Sequence, residues 1–288
     1  MQSKYISNFL TGIYQSIPPV YSAAIKADPL EKFSAEAILN IFLRLNCTTL
    51  SDCYLVNKDW KSVAHIFLNK KRELLYEKIV FSPKDWDLHF KDNGITDEEK
   101  LKAFQSLPPN IDELSCLIYP EKKLIETHVI TYFPRKITIN HYVELLEKKL
   151  GSTKGYDFIW KEIIPKFGSI LIEVSGWKAM TKQVLNNNYE KNFNVHKTKI
   201  EALKKTSFSY LKVPSLLEAI ICISTSFFKS KEKIFNNHFT YCSENINGYQ
   251  AIVRYSYFGI YTNLEFAASQ YNIGVALIQE LESKRTKK

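Results

Sequence analysis

Ser215-Leu216-Leu217-Glu218-Ala219-Ile220-Ile221-Cys222-Ile223-Ser224-Thr225-Ser226-Phe227-Phe228-Lys229 contains the most apolar stretch of the chain, and its reading decides the fold. The apolar part, Leu216 to Phe228, is interrupted by Glu218. It is also shorter than the roughly 20 residues a helix needs to cross a bilayer. A buried helix is the solution that remains. Its start is marked in the sequence: Ser215 can accept a hydrogen bond from a free amide of the first turn, while Glu218, three residues on, folds back on the Ser215 amide as in a capping box. A helix apolar on every side must be surrounded by other elements, so no membrane association is expected.

Candidates for those surrounding elements lie on both sides of it. Thr127–Phe133, Ser169–Val174 and Tyr249–Tyr255 are rich in β-branched and aromatic residues and read as strands. Helical spacing of apolar residues marks His141–Leu150, Phe158–Phe167 and Val195–Lys204. Strands and helices mixed without regular βαβ alternation predict an α+β domain, over residues 83–283. Pro83, Gly94 and Leu107-Pro108-Pro109-Asn110 mark turns or breaks near its beginning, and the boundary with what precedes falls near residues 75–83. Gly248 and Gly274 lie in no phosphate-binding glycine motif and are assigned to a turn or to close backbone approach.

Residues 28–80 have a different character. Ile38, Leu39, Phe42 and Leu45 form one helical stripe; Leu50, Cys53 and Tyr54 form a second; Val56, Trp60, Val63, Ala64 and Phe67 form a third. Three short helices with tight connections are predicted. None is long enough to be stable alone in water, so the trio must bury its stripes against itself or a partner. Residues 1–27, broken by Pro18-Pro19, are a lead-in segment, and 284–288 form a basic tail.

Composition narrows the function classes. The chain has 288 residues, 45% hydrophobic and 24% charged, which is the make-up of a folded globular protein. Its five cysteines are scattered, with no CxxC pair and no histidine at zinc spacing, which fits reduced thiols and implies neither a metal nor a cofactor. The net charge of +9 invites a nucleic-acid reading. The lysines are spread along the whole chain, however, and form no concentrated basic face, so nucleic acid is not an expected partner. The N-terminal residues lack a basic flank followed by a continuous apolar run and do not read as a Sec-type signal peptide. Cytoplasmic residence, or export by another route, is expected.

The run Lys32-Phe33-Ser34-Ala35-Glu36-Ala37-Ile38-Leu39-Asn40-Ile41-Phe42-Leu43-Arg44-Leu45, followed by Thr49-Leu50, Leu55-Val56-Asn57-Lys58-Asp59-Trp60 and Val63-Ala64, resembles the F-box motif. That motif carries Leu-Pro, then Glu, paired aliphatics, Ile-Phe, Leu, Asp-Leu, and Val-x-x-x-Trp in this order. The chain departs from it at Phe33-Ser34, where Leu-Pro is usual, and at Thr49, where Asp is usual. Without the proline the docking loop is less preset, and weaker binding is expected. The resemblance implies that Phe33, Ser34, Glu36, Ile38, Leu39, Phe42, Leu45, Leu50, Val56 and Trp60 meet a Skp1-like protein and, through it, a cullin. Apolar helix faces would be completed in that partner's groove.

Further pieces resemble the region that follows the F-box in proteins of environmental chlamydiae living in amoebae. They are Lys84-Asp85-Trp86 with Phe90, Glu126-Thr127-His128, Trp177 with Met180-Thr181, Val213-Pro214 with Leu217-Glu218-Ala219, Gly248-Tyr249-Gln250, and Asn272-Ile273-Gly274-Val275-Ala276. The resemblance implies a bacterial effector acting in the host cytosol after non-Sec secretion. Its role would be to recruit an unknown protein target to a Skp1–Cul1–F-box ubiquitin ligase, with no bond chemistry of its own.

The rival expectation is an enzyme in the C-terminal domain, localised by the F-box. Glu126 and His128 stand two apart, so on a strand they would project from one face as an acid–base pair. A buried structural pair is the competing explanation. Trp177 is either an exposed recognition residue or a core filler.

Overall fold

The computed structural model describes residues 58–108, 110–116, 118–150, 163–172, 175–185, 193–205, 210–256, 259–264 and 272–281. Of the predicted Skp1-contacting residues, Phe33, Ser34, Glu36, Ile38, Leu39, Phe42, Leu45, Leu50 and Val56 lie outside them, as do the lead-in segment and the basic tail. Trp60 falls within a helix, but its side chain lies outside the described set. The chain divides into two compact units, Met1–Glu73 and Leu74–Lys288.

The described part of the first unit is the beginning of α1 (Lys58–Lys78), where Ala64, Phe67 and Leu68 are buried at helical spacing. At 21 residues α1 is not the short third helix the apolar spacing suggested. Lys70 to Glu77, rich in helix-favouring Lys, Arg, Glu and Leu, continue the helix, and Leu75 within them is buried.

The second unit is mixed α+β. In chain order it holds α2 (Pro83–His89), α3 (Asp97–Ser106), α4 (Leu124–Thr127), β1 (His128–Phe133), β2 (Ile137–Thr138), α5 (Ile139–Leu150), α6 (Ile163–Phe167), β3 (Leu171–Ile172) and β4 (Gly176–Thr181). There follow α7 (Phe193–Lys205), α8 (Leu216–Ser230), β5 (His238–Ile246), β6 (Tyr249–Ser256), β7 (Gly259–Leu264), β8 (Asn272–Gly274) and β9 (Ile278–Glu280). Pro83 opens α2 at its first turn, where proline's missing amide does no harm, and Ser82 caps it. Gly94 takes φ +76° in the turn leading to α3.

The strands form a three-stranded antiparallel sheet in the order β1-β4-β9, a four-stranded sheet in the order β7-β6-β5-β8, and the β2-β3 pair. In the four-stranded sheet β8 runs parallel to β5 and the other pairs are antiparallel. β5 and β6 are joined by Asn247 (φ +53°) and Gly248 (φ +90°), both left-handed, which is the two-residue hairpin turn that matches strand twist. Gly274 serves close approach: a Cβ there would lie 2.6 Å from the Val184 side chain. Both glycines do what the sequence suggests.

α8 packs against β1 of one sheet and against β5, β6 and β7 of the other. Every residue from Leu216 to Ser226 is buried, as is Phe228, which is why this segment is apolar on all sides. Its polar groups are satisfied internally. Ser224 and Thr225 donate to the Ile220 and Ile221 carbonyls at 2.9 and 2.8 Å, Thr225 also bonds Thr131 of β1, and Ser224 bonds Tyr142 of α5. Two tryptophans tie the outer helices to the three-stranded sheet. Trp86 donates its indole N–H to the Tyr132 carbonyl and Trp177 donates its own to the Ala103 carbonyl, each at 2.8 Å. Truncating either one to alanine should cost about 3–5 kcal/mol.

The expected strand over Ser169–Val174 is reduced to Leu171–Ile172, with 173–174 outside the described residues. The Gly168 and Ile170 amides bond back to Ile164 and Phe167, so a turn consumes the beginning of the run. Of the predicted helix Phe158–Phe167, Ile163–Phe167 is helical and the rest lies outside the described residues.

Candidate functional site

The N-terminal end of α8 carries the densest set of buried charge among the described residues. Ser215 (φ −67°, ψ 160°) is the N-cap, and its hydroxyl accepts from the Glu218 amide at 3.2 Å. The Glu218 carboxylate in turn accepts from the Ser215 amide at 2.7 Å, completing the capping box. Sequence reasoning gave Glu218 only this task. The structure adds another, because its side chain is only 5% exposed and its second oxygen lies 2.6 Å from the Lys178 ammonium and 3.2 Å from that of Lys212.

Lys178 comes from β4, where it pairs across the sheet with Thr131 of β1 and Glu280 of β9. Its ammonium also stands 5.1 Å above the Phe133 ring, a second favourable contact for a desolvated cation. Glu280 lies 3.7 Å from Lys212, at the outer side of the cluster. From β5, Glu244 accepts from the Leu216 amide at 2.8 Å, so two carboxylates satisfy the first amides of α8.

The two carboxylates are driven in opposite directions. Burial opposes ionisation of Glu218, but Lys178 beside it, by charge and hydrogen bond, holds its carboxyl below the usual range. Burial pushes the Glu244 carboxyl up, and the nearby Glu218 adds to the rise. Above this cluster opens a cleft of about 630 Å³ whose walls include Ile170 and Leu171, one face of α7, and the segment from Lys212 to Glu218.

The residues singled out from the sequence take other places. Glu126 lies in the short helix α4 and not on a strand, and its carboxylate accepts from the Lys123 amide at 3.1 Å. His128 begins β1, is 4% exposed, and its Nδ1 lies 2.8 Å from the Thr127 hydroxyl. The expected same-face acid–base pair is therefore not formed, since the helix-to-strand change between the two residues destroys the period-two geometry. Burial, with Lys182 nearby, lowers His128 to about 4, so its ring is neutral and weakly basic near neutral pH. Trp177, 2% exposed between Tyr76 and Tyr132, is a core residue. Burial also raises the thiols of Cys222 and Cys242, which makes them poor nucleophiles.

Lys178, Lys212 and Glu244 were missed. One signal was present: a glutamate set between Leu217 and Ala219 in an apolar helix needs a cation, and the lysine within Gly176-Trp177-Lys178-Ala179-Met180 sits in an otherwise core-like strand. Among the described residues no helix is long and apolar enough to cross a membrane. Comparisons with protein-family models, with curated proteins and with solved structures gave no match.

Proposed function

We propose that this chain is an F-box adaptor. Residues 28–80 bind a Skp1-like subunit, and the α+β domain of residues 83–283 holds a protein target near a cullin-based ubiquitin ligase. The observation that carries this reading is the order and spacing of Glu36, Ile38, Leu39, Phe42, Leu45, Leu50, Val56 and Trp60. The aromatic anchors Phe42 and Trp60 dominate the binding energy, as large aromatics do at helix-in-groove interfaces.

The output of such a molecule is proximity, because tethering a target raises its effective concentration at the loaded ubiquitin carrier. No bond chemistry is asked of the second unit in this reading. The resemblance of the second unit to chlamydial sequences supports action in a host cytosol, as a bacterial effector delivered by a non-Sec route.

The test is titration of the full chain with purified Skp1 by calorimetry. It is repeated with Phe42→Ala and Trp60→Ala after circular dichroism has established that both variants are folded. Saturable binding that each substitution weakens at least about tenfold is expected. A folded wild-type chain that ignores Skp1 at high micromolar concentration overturns the proposal.

A further inference from the structure

We infer that the cleft at the N-terminal end of α8 is a recognition site for an extended protein segment bearing acidic side chains next to aliphatic or aromatic ones. This rests on the adaptor reading for its purpose, and on the following geometry for its chemistry.

The acceptors of the cleft are already engaged. Glu218 is held by Lys178, Lys212 and the Ser215 amide, Glu244 by the Leu216 amide, Glu280 lies 3.7 Å from Lys212, and Glu201 pairs with Lys204. Its donors on α7 are less so. That helix carries four lysines against a single glutamate. Of the two lysines of α7 that line the cleft, Lys197 has no ion pair among the described residues. Lys204 has only Glu201, three residues away on its own helix and half exposed, a contact worth a few tenths of a kcal/mol. A ligand carboxylate thus meets the Lys197 ammonium and a Lys204 held only by an exposed contact on its own helix, whereas a ligand cation meets carboxylates that each have a partner.

Another part of the lining is apolar. Ile170 and Leu171 are 47% and 50% exposed, and they are the only two large hydrophobics consecutive in sequence that are so exposed among the described residues. Leu171 belongs to β3, which pairs only with β2 among the described residues. A strand edge with no described partner, beside a pocket, is a setting in which an extended peptide adds backbone hydrogen bonds and places alternate side chains in the cleft.

The spacing of the basic groups favours a chain segment over a compact small molecule. Lys197 and Lys204 are two turns apart on α7, about 10 Å along its axis. An extended peptide covers that distance in roughly three residues. Complementary charge of this kind sets partner choice and association rate more than raw affinity.

The experiment is selection of a displayed library of random peptides on the full wild-type chain and, in parallel, on the Lys197→Glu/Lys204→Glu double variant. Lys197 is exposed and Lys204 is partly exposed, and folding is checked by circular dichroism. Wild type should enrich sequences with Asp or Glu beside Leu, Ile or Phe, and the double variant should enrich Lys or Arg in the acidic positions. The selected peptide should bind Leu171→Asp and the double variant about tenfold more weakly by fluorescence anisotropy. Its charge-swapped version should restore affinity for the double variant. Failure to enrich above an empty support, identical enrichment by both proteins, or equal binding of polyglutamate overturns the inference. Skp1 titration of the same variants separates the two readings. Retained Skp1 binding without peptide selection removes the cleft proposal alone, and peptide selection without Skp1 binding removes the adaptor proposal alone.

Discussion

Both ends of α8 carry a lysine–carboxylate pair, but the two pairs are built differently. At the C-terminal end Lys229 meets both oxygens of Asp85, at 2.9 and 3.0 Å, and the Tyr76 carbonyl at 3.2 Å. Three acceptors match the three donors of an ammonium group. Asp85 simultaneously accepts from the amide and hydroxyl of Ser82, so one carboxylate caps α2 and ties it to α8. At the N-terminal end two lysines share the buried Glu218, with Glu280 and Glu244 close by. Both ends obey the helix dipole, with acid at the start and base at the finish. The first pair is closed and acts as a staple, whereas the second is an open network bordering a cleft.

The largest expected effect falls on the open end. Lys178→Met leaves a buried Glu218 with Lys212 alone and should lower unfolding free energy by about 3–5 kcal/mol. It would be read as a shift of the urea midpoint at unchanged slope. A loss below about 1 kcal/mol would mean that the pair behaves like a surface ion pair and would erase the contrast.

Acid sharpens the comparison. His128 is held at about 4 against an ordinary 6.5, so folding favours its neutral ring. That contribution is complete above pH 6.5 and is lost as pH falls toward 4, by up to about 3 kcal/mol. Glu218, held below the usual carboxylate range, contributes fully above that range and loses its contribution as pH falls through the range toward its lowered value. Unfolding at a series of pH values should therefore show an early decline that His128→Gln flattens. An equally steep decline in that variant would move the acid-sensitive point elsewhere.

Lys229→Met should cost less, about 2 kcal/mol, because Asp85 retains its two bonds from Ser82 and each partner is 14% exposed. If it proves costlier than Lys178→Met, the closed pair is the more important of the two. Ser215→Ala removes one cap bond and should cost about 1 kcal/mol, since Glu218 still accepts from the residue 215 amide.

Much of the architecture was legible locally. The capping box at Ser215 and Glu218, α5, α7 and β6 follow from residues close in sequence, so helical or alternating periodicity finds them. Most of the other strands were not. β5 carries a register irregularity between Tyr241 and Asn245 that breaks its alternation, β8 and β9 have three residues each, and β4 places Lys178 where a core residue is expected. The candidate pair at Glu126 and His128 was misread because a short helix ends between them, something spacing alone does not reveal.

By itself the sequence determined that this protein has a buried helix at Leu216–Ser230 with a capped start, an α+β domain around it, and the spacing on which the adaptor proposal stands. Those features rest on contacts within a few residues. Only the tertiary structure decided that Glu218 meets Lys178, forty positions away, that Lys229 meets Asp85, and that a cleft opens above the first of these pairs. Such pairings depend on which strands and helices the fold brings to the ends of α8, and no local pattern carries that information.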